Sequence, residues 1–94
     1  MSHIKVSGLY SISLSARTYT EGEEYAVGTI GDMSLPGLTS VSNVIGFFIV
    51  NVSPKISGAL YTARGNNIYF RPANTLTLSS PTASAFSVYV AYFV

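Results

Sequence analysis

The titratable side chains of this sequence are too few and too scattered for most enzymatic chemistry. The one histidine, His3, stands at the start of the chain, so a histidine-based triad or metal cluster has no second imidazole to work with. Three of the four acidic residues crowd one polar turn at Glu21, Glu23 and Glu24, and Asp32 stands apart. Paired carboxylates can hydrolyse glycosides and loop carboxylates can hold Ca²⁺, but a solvated turn explains these acids more simply. We therefore expect no enzymatic activity, no metal site and no cofactor.

The most promising binding chemistry lies in a polar loop between two aromatic residues. Arg64, Asn66 and Asn67 follow Tyr61 and precede Tyr69. Aromatic rings stack on the apolar C–H faces of sugars, while amide and guanidinium groups hydrogen-bond to sugar hydroxyls. These five residues are therefore the predicted ligand-binding residues, for a saccharide. The alternative is a purely local role for the loop, because Asn tolerates the positive φ that hairpin loops often need.

Nucleic acid and membrane are disfavoured as partners. The net charge is only +1, and the five basic residues form no run that would attract an anionic polymer. Tyr61, Arg64, Tyr69, Phe70 and Arg71 superficially resemble a site for single-stranded nucleic acid, but packing of a hairpin accounts for these aromatics without a ligand. The apolar runs are too short to span a bilayer as a helix, and no secretory signal is apparent.

An alternation of apolar and polar residues predicts strands along most of the chain. From residue 4 to residue 16 every even position is apolar except Gly8, which predicts a half-buried strand that bends at that glycine. The other predicted strands cover residues 25–30, 44–52, 56–62, 68–70, 75–79 and 84–94. Residues 1–3 are expected to be a frayed start, residues 17–24 a polar turn and residues 31–42 an exposed connection. Residues 44–52 are expected to be a second buried strand.

No stretch of ten or more residues shows helical spacing, and turn signals separate the strands at regular intervals. The sequence therefore predicts an all-β fold. We expect one antiparallel β-sandwich, jelly-roll-like, with seven to eight short strands in a single domain over residues 1–94.

The last predicted strand is apolar on both faces. Phe86, Val88 and the alternate residues after them share one face, and Tyr89, Ala91 and Phe93 share the other. A strand of this kind is covered on both faces, so we expect it in the middle of a sheet. Tyr89, Ala91 and Phe93 are the predicted oligomer interface. The end of the sequence at this strand is expected to be a true C-terminus held in a sheet.

The composition also favours contacts between copies. Hydrophobic residues make up 48% of the chain and charged residues 10%, against roughly 25% charged in an average domain. Surplus apolar surface is commonly buried between subunits. The alternative is that Ser, Thr and Asn supply enough polar surface without charge.

The order of these features resembles the small distal domains of bacteriophage tail-fibre and baseplate proteins. A Ser-rich alternating strand at residues 10–15 precedes a short strand at residues 25–30 that contains Val-Gly-Thr. A loop with Pro36 and Gly37 follows, and an aromatic strand at residues 88–94 closes the chain. The resemblance implies a charge-poor β-sandwich that assembles as a homotrimer and binds cell-surface saccharides.

The expected function is that of a non-enzymatic virion component, a tail-tip or baseplate module that attaches to the host through a saccharide. Other virion proteins are then partners, and the protein reaches the extracellular space through lysis rather than secretion. The alternatives are a purely structural virion module, such as a capsid decoration or fibre cap, and a small lectin.

Overall fold

The computed structural model describes residues 3–94, and over this range the chain forms nine β-strands and two short 3-10 turns. The strands are β1 Ile4–Val6, β2 Tyr10–Leu14, β3 Thr18–Tyr19, β4 Tyr25–Thr29, β5 Val44–Val52, β6 Gly58–Thr62, β7 Asn67–Pro72, β8 Leu76–Thr77 and β9 Thr82–Phe93. The predicted all-β fold is confirmed. The strand count exceeds the expected seven to eight because β3 forms inside the stretch expected to be a polar turn. The jelly-roll-like sandwich topology stays a prediction.

The C-terminal strand β9 lies in the middle of a four-stranded antiparallel sheet, as the sequence predicts. β5 pairs with one edge of β9, while β1 and β2 pair in succession along the other edge. Gly8 lies between β1 and β2, so the bend expected at this glycine divides one long strand into two that share a neighbour. The whole sheet is therefore organised around β9.

The pairing continues beyond β1 to the first described residue. The backbone N–H of His3 donates to the carbonyl oxygen of Val94 at 3.2 Å, and the N–H of Val94 donates to the carbonyl oxygen of His3 at 2.9 Å. The expectation of a frayed start is therefore wrong for His3, whose backbone is held in the ladder. Residues 1 and 2 of that expected start lie outside the described residues.

The two faces of β9 differ sharply in burial. Phe86, Val88 and Val90 are 0% exposed on the inner face. On the outer face, Tyr89 and Phe93 are exposed to 36% and 40%. The expectation of full burial therefore holds for one face of β9 within the chain, and the other face is partly open.

The inner face of the four-stranded sheet packs on a second, three-stranded antiparallel sheet in the order β4-β7-β6. Ile68 and Phe70 of β7 are 0% exposed and belong to the same core cluster as the buried residues of β9. A short ladder of β3 with β8 adds Tyr19, which is 2% exposed. The stretch at residues 17–24, which was expected to be a polar turn, therefore contains one core residue, Tyr19.

The expectation that residues 44–52 form a buried strand is wrong. Among the described strands, β5 pairs only with β9, so it lies at an edge of the sheet. Its residues Phe48, Val50 and Ile45 are exposed to 57%, 55% and 47%. Two register shifts, between Val44 and Gly46 and between Ile49 and Asn51, interrupt its pairing. Bulges of this kind are a common feature of edge strands.

The connection expected to be exposed at residues 31–42 is only partly so. Met33 is 4% exposed and Leu38 is half-buried against the core. The hydroxyl of Tyr92 donates a 2.9 Å hydrogen bond to the carbonyl oxygen of Pro36, which ties the middle of the connection to β9. The connection therefore covers one end of the core.

Candidate functional site

Tyr61 and Tyr69 form a cross-strand pair on the outer face of the three-stranded sheet. They lie opposite each other in the pairing of β6 with β7, and their ring centroids are 6.0 Å apart at an interplanar angle of 31°. The strand period explains their direction, because the neighbours Ile68 and Phe70 point into the core and residue 69 must then point outward. The hairpin thus brings the two predicted aromatic residues together.

Glu24, which lies outside this hairpin, contacts Tyr61 of β6 and Arg64 of the loop that joins β6 to β7. It lies directly before β4, and its carboxylate accepts a 2.6 Å hydrogen bond from the hydroxyl of Tyr61. The guanidinium of Arg64 pairs with the other carboxylate oxygen. These two hydrogen bonds, first that from Tyr61 and then that from Arg64, lower the pKa of Glu24. The ion pair is partly open to solvent, since the side chains of Arg64 and Glu24 are 68% and 20% exposed.

Two guanidinium groups cover the tyrosine rings. The guanidinium carbon of Arg64 lies 4.7 Å from the centroid of Tyr69, and that of Arg71 lies 5.2 Å from the centroid of Tyr61. Both distances are within the range of cation–π contacts. We call this surface, formed by Tyr61, Tyr69, Arg64 and Arg71 with Glu24, the tyrosine–arginine face.

The two asparagines of the predicted site have different roles. The side-chain amide of Asn67 donates to the hydroxyl of Tyr69 at 3.3 Å, which places Asn67 on the tyrosine–arginine face. Asn66 is exposed, and its backbone carbonyl accepts a 2.7 Å hydrogen bond from the N–H of Ile30. Gly65 carries the positive φ of the loop, at 60°, and neither asparagine does. Positive φ is therefore not the reason for asparagine at either position.

The tyrosine–arginine face presents hydrogen-bond donors and flat aromatic rings to a ligand. Arg64 and Arg71 contribute two positive charges and Glu24 one negative charge, so these three residues leave a local net charge of +1. Part of the donor set is already used, because Glu24 holds Arg64 and the hydroxyl of Tyr61. Arg71 forms no ion pair within residues 3–94, so no carboxylate there occupies its guanidinium.

The predicted saccharide site lacks two members of this face, Glu24 and Arg71, of which Arg71 is named only in the nucleic-acid alternative. Arg71 had a usable signal, because it follows Tyr69 by two residues on the same strand and must share its face. Glu24 had none, since it is 37 residues from Tyr61 and 40 from Arg64 in the chain. Phe70, which the nucleic-acid alternative included, is 0% exposed in the core and cannot contact a ligand.

The predicted oligomer-interface residues lie on the other side of the core. Tyr89, Ala91 and Phe93 point outward from β9 on the four-stranded sheet. Tyr89 and Phe93 are exposed within the chain, whereas Ala91 is 5% exposed between Val6 and Gly46 of the neighbouring strands.

No group of three or more His, Cys, Asp or Glu side chains within residues 3–94 is arranged to hold a metal ion. No helix in the described part of the chain is long and apolar enough to cross a membrane.

Comparison with protein-family models, with curated proteins and with solved structures finds no match for this chain. Its function is therefore inferred from its own residues.

Proposed function

We propose that this chain is a non-enzymatic attachment module of a bacteriophage tail tip or baseplate, and that it binds a cell-surface saccharide through the tyrosine–arginine face. The observation that carries the proposal is the convergence of Tyr61, Arg64, Asn67 and Tyr69 on one outer sheet face. These residues are predicted as a saccharide site from their chemistry alone. The scarcity of acid–base groups in the sequence favours binding over catalysis.

The arrangement suits contact with a sugar through arginine as well as through a ring. Tyr69 is only 6% exposed beneath Arg64, whereas the side chain of Arg64 is 68% exposed. A guanidinium plane both stacks on flat apolar surfaces and presents several N–H donors. We therefore assign the first contacts with a ligand to Arg64, Arg71 and the half-buried ring of Tyr61.

The local charge favours an acidic saccharide over a neutral one. Arginine forms bidentate hydrogen bonds with carboxylates, and Arg71 has no carboxylate partner within the described chain. Uronic acids carry such a carboxylate beside the hydroxyls that amide groups recognise. Alginate, a polymer of uronic acids, is therefore a suitable first probe, and dextran is its neutral counterpart.

Calorimetric titration with oligosaccharides of alginate and of dextran tests the proposal. We expect binding of the acidic probe, and a loss of at least tenfold in affinity for Arg71→Ala and for Arg64→Ala. Arg17→Ala is the matched control, because Arg17 also lies over a tyrosine ring, 4.6 Å from the centroid of Tyr25, but away from this face. Equal affinities in all three variants would exclude the tyrosine–arginine face as the binding site.

A second candidate, a purely structural virion module, is favoured by a different observation. The outer face of the four-stranded sheet exposes a group of large apolar side chains, among them Phe48 at 57% and Phe93 at 40%. A structural module needs such a surface and needs no ligand site. A stable assembly that binds neither saccharide probe nor host cells would support this candidate over attachment.

A further inference from the structure

The outer face of the four-stranded sheet carries a concentration of exposed apolar side chains. Ile4 and Val6 of β1 are exposed to 64% and 62%, Phe48 of β5 to 57%, and Phe93 and Tyr89 of β9 to 40% and 36%. We call these five residues the apolar outer face. Their burial in water-free contact would be favourable, since each exposed large apolar side chain contributes roughly 25 cal/mol per Å² when covered.

The strand register joins these residues into one surface. Ile4 lies opposite Phe93, Val6 opposite Ala91, and Phe48 opposite Tyr89. Directly opposite residues in an antiparallel pair share a face, with Cβ atoms about 4.5–5.5 Å apart. The apolar outer face therefore runs without a gap across β1, β9 and β5.

Polar residues bound this surface at one end of the same sheet face. Ser11 of β2 lies opposite Ser87 of β9, and Asn51 of β5 is also paired with Ser87. No residue that the register places on this face is charged. An uncharged apolar area with a polar rim is the pattern of an interaction site rather than of scattered surface residues.

The area is large for an isolated chain. The five residues together expose on the order of 500 Å², which lies in the upper half of the range for the largest apolar patch on a typical monomer, about 300–600 Å². A standard interface buries about 800 Å² on each partner. The apolar outer face thus supplies more than half of one partner's share.

We propose that copies of this chain bury the apolar outer face against one another. Because the apolar outer face carries no charge, a neighbouring copy covers it without burying an unpaired charge. The exposed edge of β5, next to Phe48, offers a second contact surface. A closed trimer needs two different contact surfaces on each copy, and the apolar outer face and this edge provide them.

The inference does not depend on saccharide binding. The apolar outer face and the tyrosine–arginine face lie on opposite sides of the core, because they belong to the outer faces of the two packed sheets. Assembly through the first leaves the second open to solvent. The two proposals can therefore fail separately.

Light scattering coupled to size-exclusion chromatography, over a hundredfold range of protein concentration, measures the assembly. We expect a mass of three chains for the unaltered protein. Phe48→Thr keeps a strand-forming residue while removing the aromatic ring, and we expect it to raise the dissociation constant by about tenfold or more. Val6→Thr nearly preserves the shape of the side chain. It should also raise the dissociation constant, although residue 6 lies on the opposite side of β9 from Phe48.

Val52→Thr is the control, since Val52 lies on the same strand as Phe48 but opposite the buried Phe86, and so on the other face. Its 39% exposure makes it comparably accessible. Circular dichroism of each variant confirms that the fold is retained. A two-chain mass that Phe48→Thr and Val6→Thr reduce still supports the interface. A monomer at all concentrations, or an oligomer that neither variant weakens, overturns it.

Discussion

Phe70 of β7 and Phe86 of β9 pack against each other with their ring centroids 5.2 Å apart, one ring from each of the two larger sheets. Both side chains are 0% exposed. The interplanar angle of 60° is within the tilted arrangements that aromatic quadrupoles favour. This contact joins the sheet that carries the candidate saccharide site to the sheet that carries the apolar outer face.

A double-mutant cycle measures the contact between the two phenylalanines. We expect Phe70→Leu and Phe86→Leu to be non-additive in the free energy of unfolding by about 0.5–1.5 kcal/mol, the usual value of an aromatic pair beyond its buried area. Urea unfolding of the two single variants and the double variant gives this quantity. As a control, Phe86→Leu with Tyr61→Phe should be additive within about 0.5 kcal/mol, because Tyr61 lies on the outer face of its sheet. Additivity in both cycles would mean that the rings contribute by burial alone.

Gly58 shows why β6 and β7 can approach so closely. A Cβ atom at this position would lie 2.3 Å from the carbonyl oxygen of Arg71 and 2.6 Å from a ring carbon of Phe70. Since the first of these is a backbone atom, the strand has to move to admit a methyl group. We expect Gly58→Ala to destabilise the chain by about 1–3 kcal/mol in thermal or urea unfolding.

Gly8→Ala is the control for this substitution. A Cβ atom at Gly8 has no neighbour within 4 Å, and the backbone there is outside the positive-φ region. We expect this variant to be neutral or stabilised by up to about 1 kcal/mol, because alanine restricts the unfolded chain. Similar unfolding free energies for the two variants would contradict the close approach at Gly58.

The hydrogen bond from Tyr92 to the carbonyl oxygen of Pro36 holds the connection between β4 and β5 against β9. Tyr92→Phe removes this bond while keeping the buried ring, which is 1% exposed. We expect a loss of about 0.5–1.5 kcal/mol in unfolding free energy and faster proteolysis within residues 31–42. Tyr89→Phe, whose hydroxyl makes no hydrogen bond within the described chain, should change stability by less than about 0.5 kcal/mol. Unchanged proteolysis in Tyr92→Phe would show that other contacts hold the connection.

The fold was predictable from the sequence where the alternation was local. The period of two along residues 4–16 predicts β1 and β2, and Gly8 marks the break between them. The position of a strand within its sheet was harder to predict, because β5 and β9 are both apolar on two faces. Only the pairing distinguishes them, since β9 has neighbours on both edges and β5 has one described neighbour.

The same limit applies to the candidate site. Tyr61, Arg64 and Tyr69 belong to one hairpin, so their proximity follows from sequence spacing. Glu24 reaches them only because β4 pairs with β7, a contact between distant parts of the chain. A local pattern cannot show that pairing, so the sequence alone predicts a solvated turn for the acidic residues.

Glu24 should make the stability of the hairpin depend on acid pH. Its pKa is lowered from the ordinary value of 4.5 by the hydrogen bonds from Tyr61 and Arg64. The folded chain thus binds a proton at Glu24 less readily than the unfolded chain does. The stabilising contribution is fully present above pH 4.5 and is lost as the pH falls through the lowered pKa of the folded state.

The difference in unfolding free energy between the unaltered chain and Glu24→Gln, measured by urea titration from pH 7 to pH 2, tests this dependence. We expect the difference to be constant above about pH 5.5 and to shrink as the pH falls below that, because the protonated carboxyl and the amide carry the same charge. Glu21→Gln removes an exposed carboxylate from the adjacent turn and controls for net charge. Because Glu21 forms no ion pair in the described chain, its variant should change the unfolding free energy at pH 7 by less than Glu24→Gln does. A difference for Glu24→Gln that is equal at pH 3 and pH 7 would mean that Tyr61 and Arg64 do not hold the carboxylate in solution.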